Sequence, residues 1–362
     1  LFVNKPLIGG EFSLDPNLLT REDSSNSVDL YLSTNFSNLT LYASGRDAIY
    51  ALVDYLKPQI VNLPDYICES IFQPFKHSGD LTIRYYGVRE DLSVDDSFLE
   101  TIEENDKRIL FVVLSYFGKV DEHLLTSLVD YRSTNERSRI LLDITHSLFD
   151  KSLPNQLCHV DYSVCSLRKW FFLPDGGFLA GKELIPRPMN DARVDFWSER
   201  TGAGLLRYFG TRTVDTDDDY DAMQLAETSL DNRQGMGYRI SSLSKMILKK
   251  HDFEKTRMTR KQNFEVITNY VGKLDLEQLV PNTSSFFTVA VIFNSKQKRD
   301  MIRAELKNRM IACPIHWDTS WMKRTHKLSE LILSIPCDQR IGSEEMDWLI
   351  KILREVIDSA SR

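Results

Sequence analysis

From about Leu41 to Lys182 the chain alternates between two hydrophobic periods. Ser44-Gly45-Arg46-Asp47 sets a capping serine ahead of AIYALVDYL, whose apolar positions recur at helical spacing. The apolar run IVNLP reads as a strand and ESIFQPFKHSG as a helix closed by Gly79. TIRYYGV then predicts a strand, DDSFLETIEEN a helix, RILFVVLSYFG a buried strand, VDEHLLTSLVDYRS a helix and SRILLDITHSL another buried strand. RILFVVL and RILLD are continuous rather than alternating, the mark of strands covered on both faces. This alternation of strand and helix predicts an α/β fold of three layers around a mostly parallel sheet.

The rhythm then breaks. DYSVCSL and GGFLAGK read as two strands joined by the turn RKWFFLPD, with no helix between them. Beyond Lys182 the chain is polar and helical to about Asn269. The last stretch gives a strand (FFTVAVIF), a helix (KQKRDMIRAELKNRM), a strand (LILSIPC) and a final helix (SEEMDWLIKILREVI). The expected organisation is a large α/β domain with its helical connection over residues 1–250, followed by a smaller C-terminal α+β domain over 251–362.

Composition narrows the function. In 362 residues, 42% are hydrophobic and 27% charged, enough for a packed interior and too ordered a balance for wholesale disorder. The net charge of −7 gives no bulk reason to expect a nucleic-acid partner. No apolar run approaches the length of a membrane span, and LFVNKPLIGGEF has too short an apolar stretch for a signal peptide. Five cysteines, Cys68, Cys158, Cys165, Cys313 and Cys337, share no metal-type spacing, so reduced thiols in the cytoplasm are expected and no metal site. The glycosylation-type triplets at Asn35, Asn38 and Asn282 are then chance loop chemistry.

Ligands in open α/β sheets sit beyond the carboxyl ends of the strands. Four places there carry candidate chemistry. Ser44-Gly45-Arg46 opens a helix, where backbone N–H groups and the positive dipole end suit a phosphate, although an ordinary N-cap has the same residues. Asp143 and His146 follow RILL; an acid buried there needs a partner, or caps the next turn. Lys169, in Ser166-Leu167-Arg168-Lys169-Trp170, precedes Phe171-Phe172, and an amine in a partly desolvated aromatic pocket suits covalent catalysis; most turn lysines are merely solvated. In Pro64-Asp65-Tyr66-Ile67-Cys68 a flat side chain could cover a planar ligand or simply pack.

Taken together, these residues resemble the fold-type-I, aspartate-aminotransferase-like enzymes that use pyridoxal 5′-phosphate, and within them the DegT/DnrJ/EryC1/StrS sugar aminotransferases. IGGEF, ASGRDAIYAL, LPDYICES, LSYFG, LLDITHSL, SLRKWFFLPDGGFLAG, GMGYRIS and LILSIPC carry the likeness, and Asp-x-x-His, Ser-x-x-Lys and the trailing Gly-Gly are its specific parts. The resemblance implies that Lys169 holds the cofactor covalently and then shuttles a proton between the substrate carbon and C4′. It implies that Asp143 pairs with the pyridine nitrogen and that His146 sits near the ring and its phenolic oxygen. Ser166 and the Ser44-Gly45-Arg46 helix start would bind the phosphate. Either Tyr66 or Cys68 would cover the ring.

Three departures stand out. Gly237 occupies the place of the Asn in the family's Gly-Tyr-Asn-Tyr-Arg-Met, an Asn that reaches the partner subunit's phosphate. Pro174-Asp175-Gly176-Gly177 replaces Gly-Glu-Gly-Gly, and Ser115 stands where a His often precedes Leu-Tyr-Gly. The expectation is an aminotransferase acting on a keto sugar in nucleotide-linked form, with glutamate as amine donor, in a homodimer with shared sites. Arg207, Arg212 and His316 are candidates by position for binding the acceptor's phosphates. Alternatives are another pyridoxal-phosphate reaction, or a non-catalytic scaffold of the same fold.

Overall fold

In the computed structural model, residues 7–103, 106–186, 190–209, 223–228, 237–272, 278–280 and 284–360 are described. The strands in chain order are β1 (Ile8–Gly9), β2 (Thr40–Tyr42), β3 (Ile60–Pro64), β4 (Thr82–Tyr86), β5 (Ile109–Leu114), β6 (Ser138–Asp143), β7 (Tyr162–Cys165) and β8 (Gly177–Gly181), then β9 (Gln278–Leu279), β10 (Thr288–Ile292), β11 (Ile311–Ala312) and β12 (Ile332–Pro336). Seven of them form one sheet in the order β2-β8-β7-β6-β5-β3-β4. Strands β3 to β7 pair in parallel, while β8 runs antiparallel to both β7 and β2.

The apolar runs explain the centre of this sheet. Leu110, Phe111, Val112, Ile140, Leu141 and Leu142 are all fully buried, as strands covered on both faces require. The chain between β2 and β3 forms the helix Gly45–Leu56, whose N-cap Ser44 accepts from the Asp47 N–H. Helices Glu69–Lys76 and Glu122–Thr134 complete other crossovers. The turn RKWFFLPD does join two antiparallel strands without a helix, apart from a single 3₁₀ turn over Leu167–Lys169.

One expected element differs, and one strand is new. DDSFLETIEEN forms only a 3₁₀ turn, Asp96–Thr101, with Asp95 capping it. Within the turn only Phe98 and Leu99 pack against the core, and neither is fully covered, so too little apolar burial supports a full helix. Strand β2 was not expected; three residues are too few to display a period.

Beyond the sheet come the helices Val194–Phe209, Ser242–Lys250 and Phe253–Val271. The C-terminal part is α+β: an antiparallel sheet β12-β10-β9 with the helices Lys296–Asn308 and Ser343–Ala360. Its core gathers Phe264, Ile267, Val291, Leu306, Leu349 and Ile352, and Ile8 joins it because β1 pairs in parallel with β11. No helix among the described residues is long and apolar enough to cross a membrane.

Candidate active site

The candidate residues lie at the carboxyl ends of β3, β5, β6 and β7 and at the start of the helix Gly45–Leu56. Asp143 is the last residue of β6 and is 7% exposed. Its Oδ1 accepts from the Thr145 N–H at 2.7 Å. Burial pushes the carboxyl up to about 6, and Thr145 only partly offsets that rise. No cationic side chain pairs with it among the described residues. An acid held this way is poised for a positively charged group brought by a ligand.

Thr145, which sequence reasoning passed over, joins the parts of the site. Its Oγ1 accepts from the Ser166 N–H at 3.1 Å, and its carbonyl from the Trp170 indole N–H at 2.7 Å. The end of β6 is thereby stapled to the turn that follows β7. Trp170 is fully buried, with the Arg260 guanidinium 4.6 Å from its ring centre, and its carbonyl accepts from Gln339. Lys169, one residue earlier, is exposed, so of the two readings of this residue the solvated turn lysine is the one seen. The aromatic residues that follow it are buried behind the turn rather than wrapped around the amine. Its charge still acts on His146, His316 and Glu11, which places them around the same cleft.

His146 is buried, with its ring stacked on Phe287 at 3.9 Å and on Trp317 at 5.0 Å. The Phe117 N–H points at its Nδ1 from 3.4 Å, which assigns the ring proton to Nε2. Burial, then the neighbouring His316 and Lys169, hold His146 well below the usual histidine range, so the ring is neutral at pH 7 and Nε2–H is a donor. Phe117 itself has φ 55° in the Ser115-Tyr116-Phe117-Gly118 turn, where the Ser115 N–H donates to the Asp143 carbonyl at 3.0 Å.

The phosphate-type cradle is built by close packing. A Cβ on Gly45 would stand 3.6 Å from that of Ser166, so the helix start and the turn after β7 adjoin. A Cβ on Gly177 would lie 2.5 Å from Gly45 N and from the Ser44 carbonyl carbon, which leaves room only for glycine. Ser44 is engaged twice by Asp47: its hydroxyl accepts from the Asp47 N–H at 3.1 Å and donates to the Asp47 carboxylate. What the helix start offers an anion is therefore backbone N–H and dipole rather than the serine hydroxyl.

The departures acquire physical reasons. Gly237 packs on the helix, where a Cβ would meet the Asp47 carbonyl oxygen at 3.2 Å and the Ala51 side chain at 3.3 Å, too tight for asparagine without displacement. The next residue's N–H donates to Asp47. Asp175 is fully buried and accepts from the Ser241 N–H at 2.8 Å and the Ser241 hydroxyl at 2.6 Å, tying the post-lysine turn to the helix Ser242–Lys250.

Tyr66 is fully buried, stacked by Tyr116 and His326 and met edge-on by Trp317, and its hydroxyl donates to the His316 carbonyl. Its ring is covered by protein rings. Cys68, half-buried, is the N-cap of Glu69–Lys76, with its Sγ 2.9 Å from the Ser70 hydroxyl. Of the other candidates, His316 is half-buried, its Nδ1 2.8 Å from the Ser334 hydroxyl. Arg207 is buried beside Gly10, and Arg212 lies outside the described residues.

Sequence reasoning also missed a charged group at the cradle. Glu227 takes Arg46 at 2.7 Å, Arg200 at 2.8 Å and Arg168 on one carboxylate. Arg200 reaches Glu11 as well, at 3.1 Å. Burial works to raise Glu227, but the three guanidinium groups override it and hold the carboxyl far below its ordinary range.

No family model matches the chain, and no curated protein matches it. Solved structures do. PseC of Helicobacter pylori, an aminotransferase of pseudoaminic acid biosynthesis, is 14% identical, with a TM-score of 0.65 over 98% of this chain and 100% of that one. A DegT DnrJ EryC1 StrS aminotransferase from Brucella abortus is 14% identical, with a TM-score of 0.63 over 96% and 91%. Serine palmitoyltransferase from S. paucimobilis, solved with PLP bound, is 12% identical, with a TM-score of 0.62 over 98% and 87%. The fold is thus the fold-type-I, aspartate-aminotransferase-like architecture.

Proposed function

We propose that this chain is a pyridoxal-phosphate-dependent aminotransferase that acts on a keto sugar, carried on a nucleotide, with glutamate as amine donor. The observation that carries the reading is Asp143: a buried carboxyl without a cation among the described residues, at the end of β6, hydrogen-bonded through Thr145 to the turn that bears Ser166 and Lys169. A protonated pyridine nitrogen is the partner such a carboxyl lacks. The glycine-lined junction of Gly45, Ser166 and Gly177 suits the phosphate at the other end of the same cofactor. The residues present therefore fit the group. The fold's occurrence in PseC and in the Brucella abortus aminotransferase supports the choice of a sugar acceptor.

When bound, the cofactor supplies an electron sink for the carbon whose proton is moved. Asp143 would hold the proton on the ring nitrogen. His146 would donate its Nε2–H to the phenolic oxygen, with Phe287 and Trp317 fixing the imidazole plane. Lys169 would anchor the cofactor covalently and, once released, carry the proton between substrate carbon and C4′; its exposed position gives the amine room to move. Ser166 and the first-turn N–H groups of Gly45–Leu56 would bind the phosphate. We further propose a homodimer.

An absorption spectrum of the purified protein with added pyridoxal phosphate tests this, repeated with Lys169→Ala and then with glutamate. The expected result is a visible band that needs Lys169 and that glutamate converts to the pyridoxamine form. A Lys169-dependent band that glutamate leaves unchanged would favour other chemistry on the same cofactor, a reading to which the likeness to serine palmitoyltransferase lends weight. No Lys169-dependent band would leave a non-catalytic scaffold.

A further inference from the structure

In the charged cluster at the helix start, Arg168 and Arg200 each keep one donor without an acceptor among the described residues. Among the described residues, three guanidinium groups, Arg46, Arg168 and Arg200, meet two carboxylates, Glu227 and Glu11. The side chains of Arg168 and Arg200 are 10% and 5% exposed, and the Nε of each is buried with no hydrogen-bond partner. A buried N–H of a charged group left without an acceptor is costly, and native structures rarely keep one without a reason. Here two occur side by side, on residues that share one carboxylate.

Their place in the fold suggests the acceptor. Arg46 follows Gly45 directly, Arg168 comes two residues after Ser166, and Gly45 and Ser166 adjoin. Arg168 and Arg46 converge on the same Glu227 carboxylate, so the cluster flanks the cradle from both of its chain segments. A planar guanidinium with a free edge matches phosphate oxygens better than any other donor. Phe196, 5.5 Å from the Arg168 guanidinium, holds that side chain from the other side.

We propose that Arg168 and Arg200, joined by Arg46 and held in place by Glu227 and Glu11, form a phosphate-binding site that extends the cradle at the start of the helix. Its ligand is a phosphate dianion, borne either by the cofactor or by the acceptor. The inference rests on the proposed function only for the identity of that carrier.

The test is thermal unfolding of the protein, dialysed free of cofactor, in inorganic phosphate and in sodium chloride of equal ionic strength. Wild type, Arg168→Gln and Arg137→Gln are compared, the last as a distant exposed arginine. Phosphate at about 100 times its Kd is expected to raise the wild-type Tm by several degrees, and that of Arg137→Gln equally. Arg168→Gln should lose most of the shift. Equilibrium dialysis with labelled phosphate, at a temperature where every variant is folded, should show at least about tenfold weaker binding for Arg168→Gln, the effect of one charge-assisted contact. A wild type without phosphate-specific stabilisation, or the same affinity in Arg168→Gln, overturns the proposal.

Competition separates the carriers. If pyridoxal phosphate added to Lys169→Ala displaces the labelled phosphate, the cofactor's phosphate is the ligand. If the label stays until uridine diphosphate is added, the ligand is the acceptor's phosphate. Displacement by neither, with wild-type binding intact, would overturn the assignment of the site to the active centre. A Lys169-dependent visible band without phosphate binding would sink this inference and leave the aminotransferase reading standing.

Discussion

Asp143, buried at the end of β6, and Glu227, half-buried beside the helix start, are two carboxyls shifted in opposite directions. Asp143 has burial and little else acting on it, and is pushed up to about 6. Glu227 is partly withdrawn from water too, yet Arg168, Arg200 and Arg46 hold it well below its ordinary range. Burial alone does not decide the state of an acid; the company it keeps does. The comparison also divides labour. Glu227 already has its cations within the protein, whereas Asp143 is a carboxyl kept short of a partner that a ligand can supply.

The strongest way to break this contrast is to remove the Glu227 carboxylate. Glu227→Ala leaves Arg46, Arg168 and Arg200 without their shared carboxylate, and should cost about 3 kcal/mol or more of stability in denaturant titration. A loss under about 1 kcal/mol would mean that water or another acid replaces the carboxylate. Because the folded state lowers this carboxyl, its contribution is present above the ordinary glutamate range and fades as acid protonates it.

The opposite substitution sharpens the comparison. Asp143→Asn removes a buried charge while keeping an oxygen for the Thr145 N–H, so the cofactor-free protein should gain on the order of 2 kcal/mol at pH 8. The same variant should lose the Lys169-dependent absorption or its conversion by glutamate. If the variant instead loses stability at pH 8, Asp143 has a structural partner and the reading of its role fails.

Acidity offers a subtler test. Asp143 and Asp47 are both raised from 3.8 to about 6 by burial, so the folded state binds their protons more tightly than the unfolded chain does. Their penalty is absent below pH 4, grows between pH 4 and 6, and is complete above that window. Stability of the cofactor-free protein should therefore fall across pH 4–6, and Asp143→Asn should reduce that slope. A slope unchanged in the variant would locate the effect elsewhere. The smallest effect is expected from Thr145→Val, which removes the acceptor for the Ser166 N–H and should cost about 1 kcal/mol in the same titration. No measurable change would show that Ser166 is held by packing alone.

Much of this was legible in the chain. The central strands announced themselves because residues such as Phe111 and Leu141 are covered on both sides, which forces unbroken apolar runs. Asp143, His146, Ser166 and Lys169 could be listed because a strand end confines chemistry to a few positions. Thr145 was hidden in the same segment, since its work is done by a hydroxyl and a carbonyl aimed at residues 21 and 25 positions away. Glu227 was harder still: its partners Arg168 and Arg46 lie 59 and 181 positions off, and no local period encodes such a meeting. The chain left the surroundings of Lys169 open, and Trp170 and Phe171 decide them by turning inward to the core instead of toward the lysine.

The pairing of Ile8–Gly9 with Ile311–Ala312 has a consequence for the order of events during synthesis. Strand β1 is made well before its hydrogen-bonding partner, Ile311–Ala312, and before the rest of the core around Ile8. The large sheet, drawn from residues 40–181, can assemble while the C-terminal strands are still being made. Strand β1 must therefore wait unpaired until β11 has been made, and its docking is among the longest-range, slowest-to-close contacts of the fold.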